Sequence, residues 1–415
     1  MRGLVGMDQL RVAMIAPPWF ELPPTAYGGI EAMCADLVEQ LARRSVHVTL
    51  IGVGRNGTRA QFVATSDVAH GERMGQAMPE VLHACALPDI LARLDVDLVH
   101  DHSLAGPLVA RGRATPTVVT AHGPVTGEMG RYYRCLSDSV HLVALSAAQQ
   151  AKAPDLNWAG MVHNAVRVAD FPFRRDKEDF ALFLGRATPE KGIPDAIAAA
   201  AGAGMRLLIA AKCREPSEKE YFQREIRPRL TEGVEWLGEV GRARKLELLA
   251  AARCLLFPIR WDEPFGIVMA EALACGTPVV ALRRGSVPEV VVHGETGFVC
   301  DYLPDLVVAL QAVGELSADR CRADATQRFD VDTMAARYEH LYRAVVAGHG
   351  RALAAVPSRG LLLDHELGTD REFARAGDLS PVTGDGERSV ALGPVYLPLP
   401  VGDSAAAFPV RDGGP

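Results

Sequence analysis

The chain has 415 residues, 48% of them hydrophobic and 23% charged, an ordinary globular composition that predicts two domains plus extensions. The net charge of -7 is spread along the chain with no basic stripe, which argues against nucleic acid as a partner and leaves at most peripheral contact with a membrane. No apolar run reaches the ~18 residues of a transmembrane helix.

The N-terminal apolar run, 12–16, is too short for a signal peptide, and Asp8 falls where the apolar region would be. It reads instead as a first buried strand, with Met7 as an alternative start. The strand RVAMIA (11–16) is followed by a helix over 30–44, with Ile30, Met33, Leu37 and Leu41 on one face, and by a strand over 46–53. Then come a short helix (88–94), the strand end VDLVHDHS (96–103), and strands at 116–123 and 141–146. Nearly continuous apolar runs of this kind mark parallel strands covered on both faces. The rhythm restarts after a charged, proline-containing junction near 165–178. Strands are predicted at 180–186, 205–211, 234–238, 254–259 and 277–282, and helices at 194–204, 245–252 and 266–276. This alternation predicts an α/β protein of two Rossmann-like, doubly wound domains, 1–170 and 171–330. A helix over 331–347 carries Met334, Tyr338, Leu341 and Val345 on one face, and the Gly- and Pro-rich tail 348–415 is expected to be poorly ordered. The eight cysteines form no C-x-x-C and lie in apolar segments, so they read as reduced, buried thiols of a cytoplasmic protein.

The most informative stretch is RWDEPFGIVMAEALACGTPVV. Seven residues separate Glu263 from Glu271. Pro264 suits the first position of a helix, which places Glu263 just before the helix and Glu271 about two turns inside it. Gly276 suits the helix C-terminus. The amides of Gly266, Ile267 and Val268 at the helix N-terminus suit a diphosphate, and glycine at 266 lets a phosphate come close to the backbone. Glu263 can accept hydrogen bonds from sugar hydroxyls and Glu271 from ribose hydroxyls. In FLGRATPEKG, at a strand end bracketed by Gly185 and Gly192, Arg186 and Lys191 are the cations to neutralise a pyrophosphate.

The E-P-F-G-x-x-x-x-E-A-L-A-C-G-T-P-V-V segment resembles the E-x7-E signature of retaining glycosyltransferases of the GT-B fold, family GT4. GSVPEVVVHGETGFVC resembles the family's following loop, and GR-x-x-PEKG its donor-phosphate motif. The resemblance covers about residues 10–345. It implies two domains facing each other across a cleft and metal-independent transfer, with no cofactor beyond the nucleotide-sugar substrate. Tyr27-Gly28-Gly29-Ile30-Glu31 resembles the family's loop facing the donor phosphate or the acceptor, and Gly28 and Gly29 are read as substrate-binding. His122 resembles the family's strand-end histidine that faces the transferred sugar. His102 fits the family pattern better than His100, and Asp101 is a candidate acceptor-site base. His163-Asn164-Ala165-Val166 resembles the hinge segment, with Ala165 and Arg167 departing from its glycine and aspartate.

Gly52-Val53-Gly54-Arg55-Asn56-Gly57 matches G-x-G-x-x-G, but it follows the second strand and no helix pattern follows it, so it is not read as a dinucleotide fingerprint. The expected function is transfer of a hexose from a UDP- or GDP-linked donor to an unidentified hydroxyl, on a carbohydrate, lipid-linked or small-molecule acceptor. Glu263 and His122 are the expected catalytic residues. The alternatives are a GT-B nucleotide-sugar epimerase or phosphorylase, or a non-catalytic sugar-nucleotide-binding protein.

Overall fold

The computed structural model describes residues 9–24 and 29–355. The expectations for Met7, Tyr27 and Gly28, and for the tail from 356 onward, lie outside the described residues.

Strand β1 (Arg11–Ile15) opens a sheet completed by β2 (His47–Val53), β3 (Gln61–Ser66), β4 (Leu98–Asp101), β5 (Thr117–Thr120), β6 (His141–Ala144) and β7 (Trp158–Met161). All its pairs are parallel, in the order β3-β2-β1-β4-β5-β6-β7. A second parallel sheet holds β8 (Glu178–Arg186), β9 (Arg206–Lys212), β10 (Val234–Gly238), β11 (Ala252–Phe257), β12 (Val279–Leu282) and β13 (Gly297–Cys300). Its order is β10-β9-β8-β11-β12-β13. In each sheet the order reverses beside the first strand, between β1 and β4 and again between β8 and β11. Ligands of open α/β sheets bind at the carboxyl ends of the strands on either side of such a reversal.

The central strands match the apolar runs because helices cover both their faces: Val12, Met14, Leu50, Leu98, Leu182, Leu255 and Val279 are all fully buried. The edge strands β3, β7 and β13 were not expected. Every residue of β3 and β7 is at least partly exposed, so neither strand carries an apolar run.

Helices α1 (Gly29–Arg43), α2 (Ala77–Ala92), α3 (Gly127–Leu136) and α4 (Ala147–Ala151) belong to the first half. Helix α2 starts eleven residues before the expected helix and runs through Pro88. Glu80, His83, Ala84 and Leu87 bury one of its faces, and Glu80 accepts the amides of Leu104 and Ala105 at 3.1 and 3.0 Å. Tertiary anchoring thus outweighs the local cost of an interior proline. The second half carries α5 (Ile193–Ala203), α6 (Pro216–Tyr221), α7 (Arg242–Ala251), α8 (Ile267–Ala274), α9 (Val287–Val290), α10 (Leu303–Ala312) and α11 (Ala318–Phe329). The last helix, α12 (Val331–Ala355), runs eight residues beyond its expected end. Arg351-Ala352-Leu353-Ala354-Ala355 are strong helix formers, and they carry the helix past Gly348 and Gly350. Its Met334, Ala335, Tyr338, Leu341, Tyr342 and Val345 pack in one core with Val12, Met14, Leu37 and Leu50 of the first half.

Candidate active site

Arg186 ends β8, at the reversal point of the second sheet. Its guanidinium is held by Glu218 of α6, with Nε and Nη2 both 2.8 Å from Oε1. The Glu218 side chain is fully buried and also accepts the amides of Arg214 and Glu215 at 2.8 and 3.1 Å. Burial alone would raise its carboxyl; the two amides and the Arg186 guanidinium outweigh that and hold it below its usual value. A carboxylate fixed in this way leaves Arg186 few orientations, which suits a planar cation that has to meet phosphate oxygens.

Lys191 lies in the turn between β8 and α5, and Glu263 follows β11. The structure brings these two together: Lys191 Nζ is 2.6 Å from Glu263 Oε2. Trp261 Nε1 donates to the same oxygen at 3.0 Å, and the Lys191 ammonium lies 5.4 Å from the centre of the Trp261 ring. Glu271 pairs with Lys245 of α7 at 2.7 Å.

The turn from Glu263 into α8 differs from the sequence expectation. Helix α8 begins at Ile267, not at Pro264, so Glu271 sits just over one turn inside it. The cause is Gly266, whose φ of 71° interrupts helical geometry. A Cβ there would lie 2.8 Å from Met269 Cε. The first amides of α8, from Ile267 and Val268 onward, have no acceptor within the helix and carry the positive end of its dipole. At the other end Cys275 closes the helix, and Gly276 follows at φ 74°.

The loop after β12 braces this turn. Ser286 donates its amide to the Glu263 carbonyl at 3.0 Å and its hydroxyl to the Phe265 carbonyl at 2.8 Å. A Cβ on Gly285 would collide with the backbone of Glu263, so only glycine lets the loop lie this close.

In the first half, Gly29 opens α1, and a Cβ there would meet nothing within 4 Å. His122 follows β5 and is half-buried, with Nε2 2.9 Å from His102 Nδ1. Burial pushes its imidazole down to about 4, so it is neutral near pH 7 and acts as a hydrogen-bonding group there. His102 is buried and likewise shifted down, by burial first and by its two histidine neighbours second. His100 bonds Tyr342 Oη at 2.6 Å and Thr120 Oγ1 at 2.9 Å, which ties it to the core and not to the cleft. Asp101 does not serve as an exposed base. It is fully buried, its Oδ1 accepts from the amide and hydroxyl of Ser103 at 2.9 and 2.7 Å, and burial pushes it up to about 7. It shapes the turn after β4.

The two halves meet around a cavity of about 160 Å³, lined by Pro124, Thr126 and Gln149 from the first half and by Trp261, Glu263 and Gly285 from the second. The loop immediately after His122 therefore faces Glu263. Lys152 of the first half also pairs with Asp262 of the second, at 2.7 Å.

Sequence reasoning missed Glu218, Lys245, Trp261, Gln149 and Glu289. Glu218 and Lys245 meet partners 32 and 26 residues away, with no local pattern to mark them. Trp261 lies two residues before Glu263 and was the one visible signal.

Among similar proteins, the glycogen synthase of Mycobacterium tuberculosis is 26% identical over 422 residues, which span 86% of this chain and 99% of that protein. The α-maltose-1-phosphate synthase of Mycolicibacterium smegmatis is 29% identical over 76% of this chain and 92% of that protein. Among solved structures, a glycosyltransferase of avilamycin A biosynthesis superposes with a TM-score of 0.61 at 28% identity, covering 82% of this chain and 98% of that one. Sucrose-phosphate synthase from Thermosynechococcus elongatus shares the fold, with a TM-score of 0.65 at 18% identity over 82% of this chain and all of that one. The model for "Glycosyltransferase Family 4" matches residues 27–168 and that for "Glycosyl transferases group 1" matches 169–309, together most of the chain. The chain belongs to this family of glycosyltransferases and is a transferase of the GT-B fold.

Proposed function

We propose that this glycosyltransferase moves a hexose from a UDP- or GDP-linked donor to an acceptor hydroxyl, with retention of the anomeric configuration. One observation carries the reading: at the reversal point of the second sheet, Lys191 pairs with Glu263, the N-terminus of α8 follows Glu263 directly, and Arg186 ends the adjacent strand β8. The donor nucleotide binds this half, and the acceptor approaches from the first. Arg186, Lys191 and the amides of Gly266, Ile267 and Val268 draw charge onto the diphosphate, so no divalent metal is needed for that task. Glu271 accepts from the ribose hydroxyls. Gly29 leaves room at the start of α1 for the donor phosphate or the acceptor, and Gly28 is assigned to the same loop from the sequence.

Glu263 and His122 orient the sugar. The bond from the anomeric carbon to the phosphate oxygen breaks, and the acceptor oxygen bonds to that carbon on the same face. The acceptor proton passes to the departing phosphate oxygen, releasing the nucleoside diphosphate. A neutral His122 donates or accepts a hydrogen bond in this scheme without changing charge.

The test is a thermal-shift panel of UDP, GDP and ADP with their glucose and mannose conjugates. A ligand at about 100 times its dissociation constant adds roughly 2.7 kcal/mol of stability. One nucleotide should raise Tm by several degrees, and Arg186→Ala should abolish the shift. No shift with any member of the panel would refute the donor reading.

A further inference from the structure

We propose that helix α4 couples the two halves of the molecule to His122, with Gln149 and Glu289 as positioning residues. The inference rests on the role given to His122 above.

Gln149 is 5% exposed, and all its polar groups are engaged. Its Nε2 donates to the carbonyls of Ala121 at 2.8 Å and Gly123 at 2.7 Å, and its Oε1 accepts the amide of Leu145 at 2.7 Å. Ala121 and Gly123 are the two neighbours of His122. One side chain therefore fixes the backbone on both sides of the histidine, while His102 fixes its ring.

Helix α4, which carries Gln149, is only five residues long, too short to be stable by itself. Ser146 caps it from within, accepting the Gln149 amide at 3.1 Å. Further support comes from the other half. Glu289 of α9 accepts the amide of Ala147 through Oε2 and that of Ala148 through Oε1, both at 2.8 Å. His163 Nε2, in the segment after β7, lies 3.2 Å from the same carboxylate. At the far end of α4, Lys152 pairs with Asp262 at 2.7 Å.

Both acidic residues belong to the segments that shape the Glu263 turn. Asp262 precedes Glu263, and Glu289 lies three residues after Ser286, which holds the carbonyls of Glu263 and Phe265. Helix α4 is thus fastened to the Glu263 turn on one side and to the His122 turn on the other.

The cavity between the halves is about 160 Å³, below the roughly 300–1,000 Å³ of sites for drug-sized ligands, and in this proposal the halves part to admit a sugar nucleotide. Parting withdraws Glu289 and Asp262 from α4. The helix then loses its charged cap and its Lys152 ion pair, Gln149 loses its footing, and the His122 turn loosens. Closure restores all three, so His122 is set in place only when the Glu263 half is docked.

Hydrogen exchange on the full chain tests this without any ligand. Gln149→Met removes three hydrogen bonds at nearly constant volume, and Glu289→Ala removes the cap from the opposite half. Both should speed exchange over residues 119–126 by about tenfold, the scale of one lost buried hydrogen bond, with β1 and β2 unchanged. Glu289→Gln, which keeps the side-chain volume, should fall between Glu289→Ala and wild type. Nitrogen-15 spectra of histidine-labelled protein supply the local signature: one tautomer for His122 in wild type, and averaging in both variants. Wild-type exchange at 119–126 in Glu289→Ala, or loss of protection throughout β1 and β2, would overturn the coupling. Neither readout involves donor or turnover, so this failure is separate from failure of the transferase reading, which the nucleotide panel judges.

Discussion

Glu263 is the residue on which the site converges. Its carboxylate is held by an ammonium and an indole N–H at 2.6 and 3.0 Å. A sugar hydroxyl arriving there meets an acceptor already oriented, with its solvent replaced by fixed donors. Glu263→Gln keeps an oxygen for both donors but loses the charge. Release of nucleoside diphosphate from the sugar nucleotide selected by the panel should fall by about 100-fold or more, the scale of losing one preorganised electrostatic contact. Tm should change little. A Tm loss as severe as the loss of turnover would make Glu263 a structural residue. Both glutamates of the motif were legible because their spacing survives in one continuous segment. Their pairings were not: Lys191 and Lys245 reach them from 72 and 26 residues away, and chain distance of that kind leaves no local trace.

At the scale of elements, the turn into α8 shows where local rules mislead. Pro264 is a good first helical residue, yet Gly266 at φ 71° takes the capping position, and the helix starts three residues after that proline. The displaced start puts the free amides of Ile267 and Val268 beyond the glycine. Gly266→Ala places a side chain in the left-handed region, at a cost of about 1–2 kcal/mol. It also pushes a methyl onto Met269 Cε, 2.8 Å away. The expected outcome is a lower Tm together with a smaller nucleotide-induced shift, both read in one melting series; an undiminished shift would remove the α8 N-terminus from the donor site. The central strands were readable from their apolar runs, since burial on both faces imposes that pattern. The half-exposed edge strands β3 and β7 carry no such pattern, and α2 is held by Glu80 bonding to amides 24 and 25 residues away.

Across the whole molecule, the chain returns to where it began. After α11, at the end of the second half, α12 lays Tyr338 and Tyr342 into the core of the first, both almost fully buried. Tyr342 Oη meets His100 Nδ1 at 2.6 Å, and Tyr338 Oη meets Thr120 Oγ1 at 2.9 Å. The His100 ring in turn lies tilted against that of His102, the partner of His122, with ring centres 3.9 Å apart. The core of the first sheet thus includes residues that follow the whole second half in sequence. Tyr342→Ala opens a large cavity and leaves His100 Nδ1 without its partner, which should cost about 3–5 kcal/mol. Tyr342→Phe keeps the packing and loses only the hydrogen bond, so its cost should be smaller, about 1–3 kcal/mol. Denaturant unfolding of the two variants separates packing from polar pairing, and the nucleotide-induced shift should survive in both because the donor half is untouched. A Tyr342→Ala variant within about 1 kcal/mol of wild type, the usual scale of a surface change, would mean that the first sheet holds together without α12.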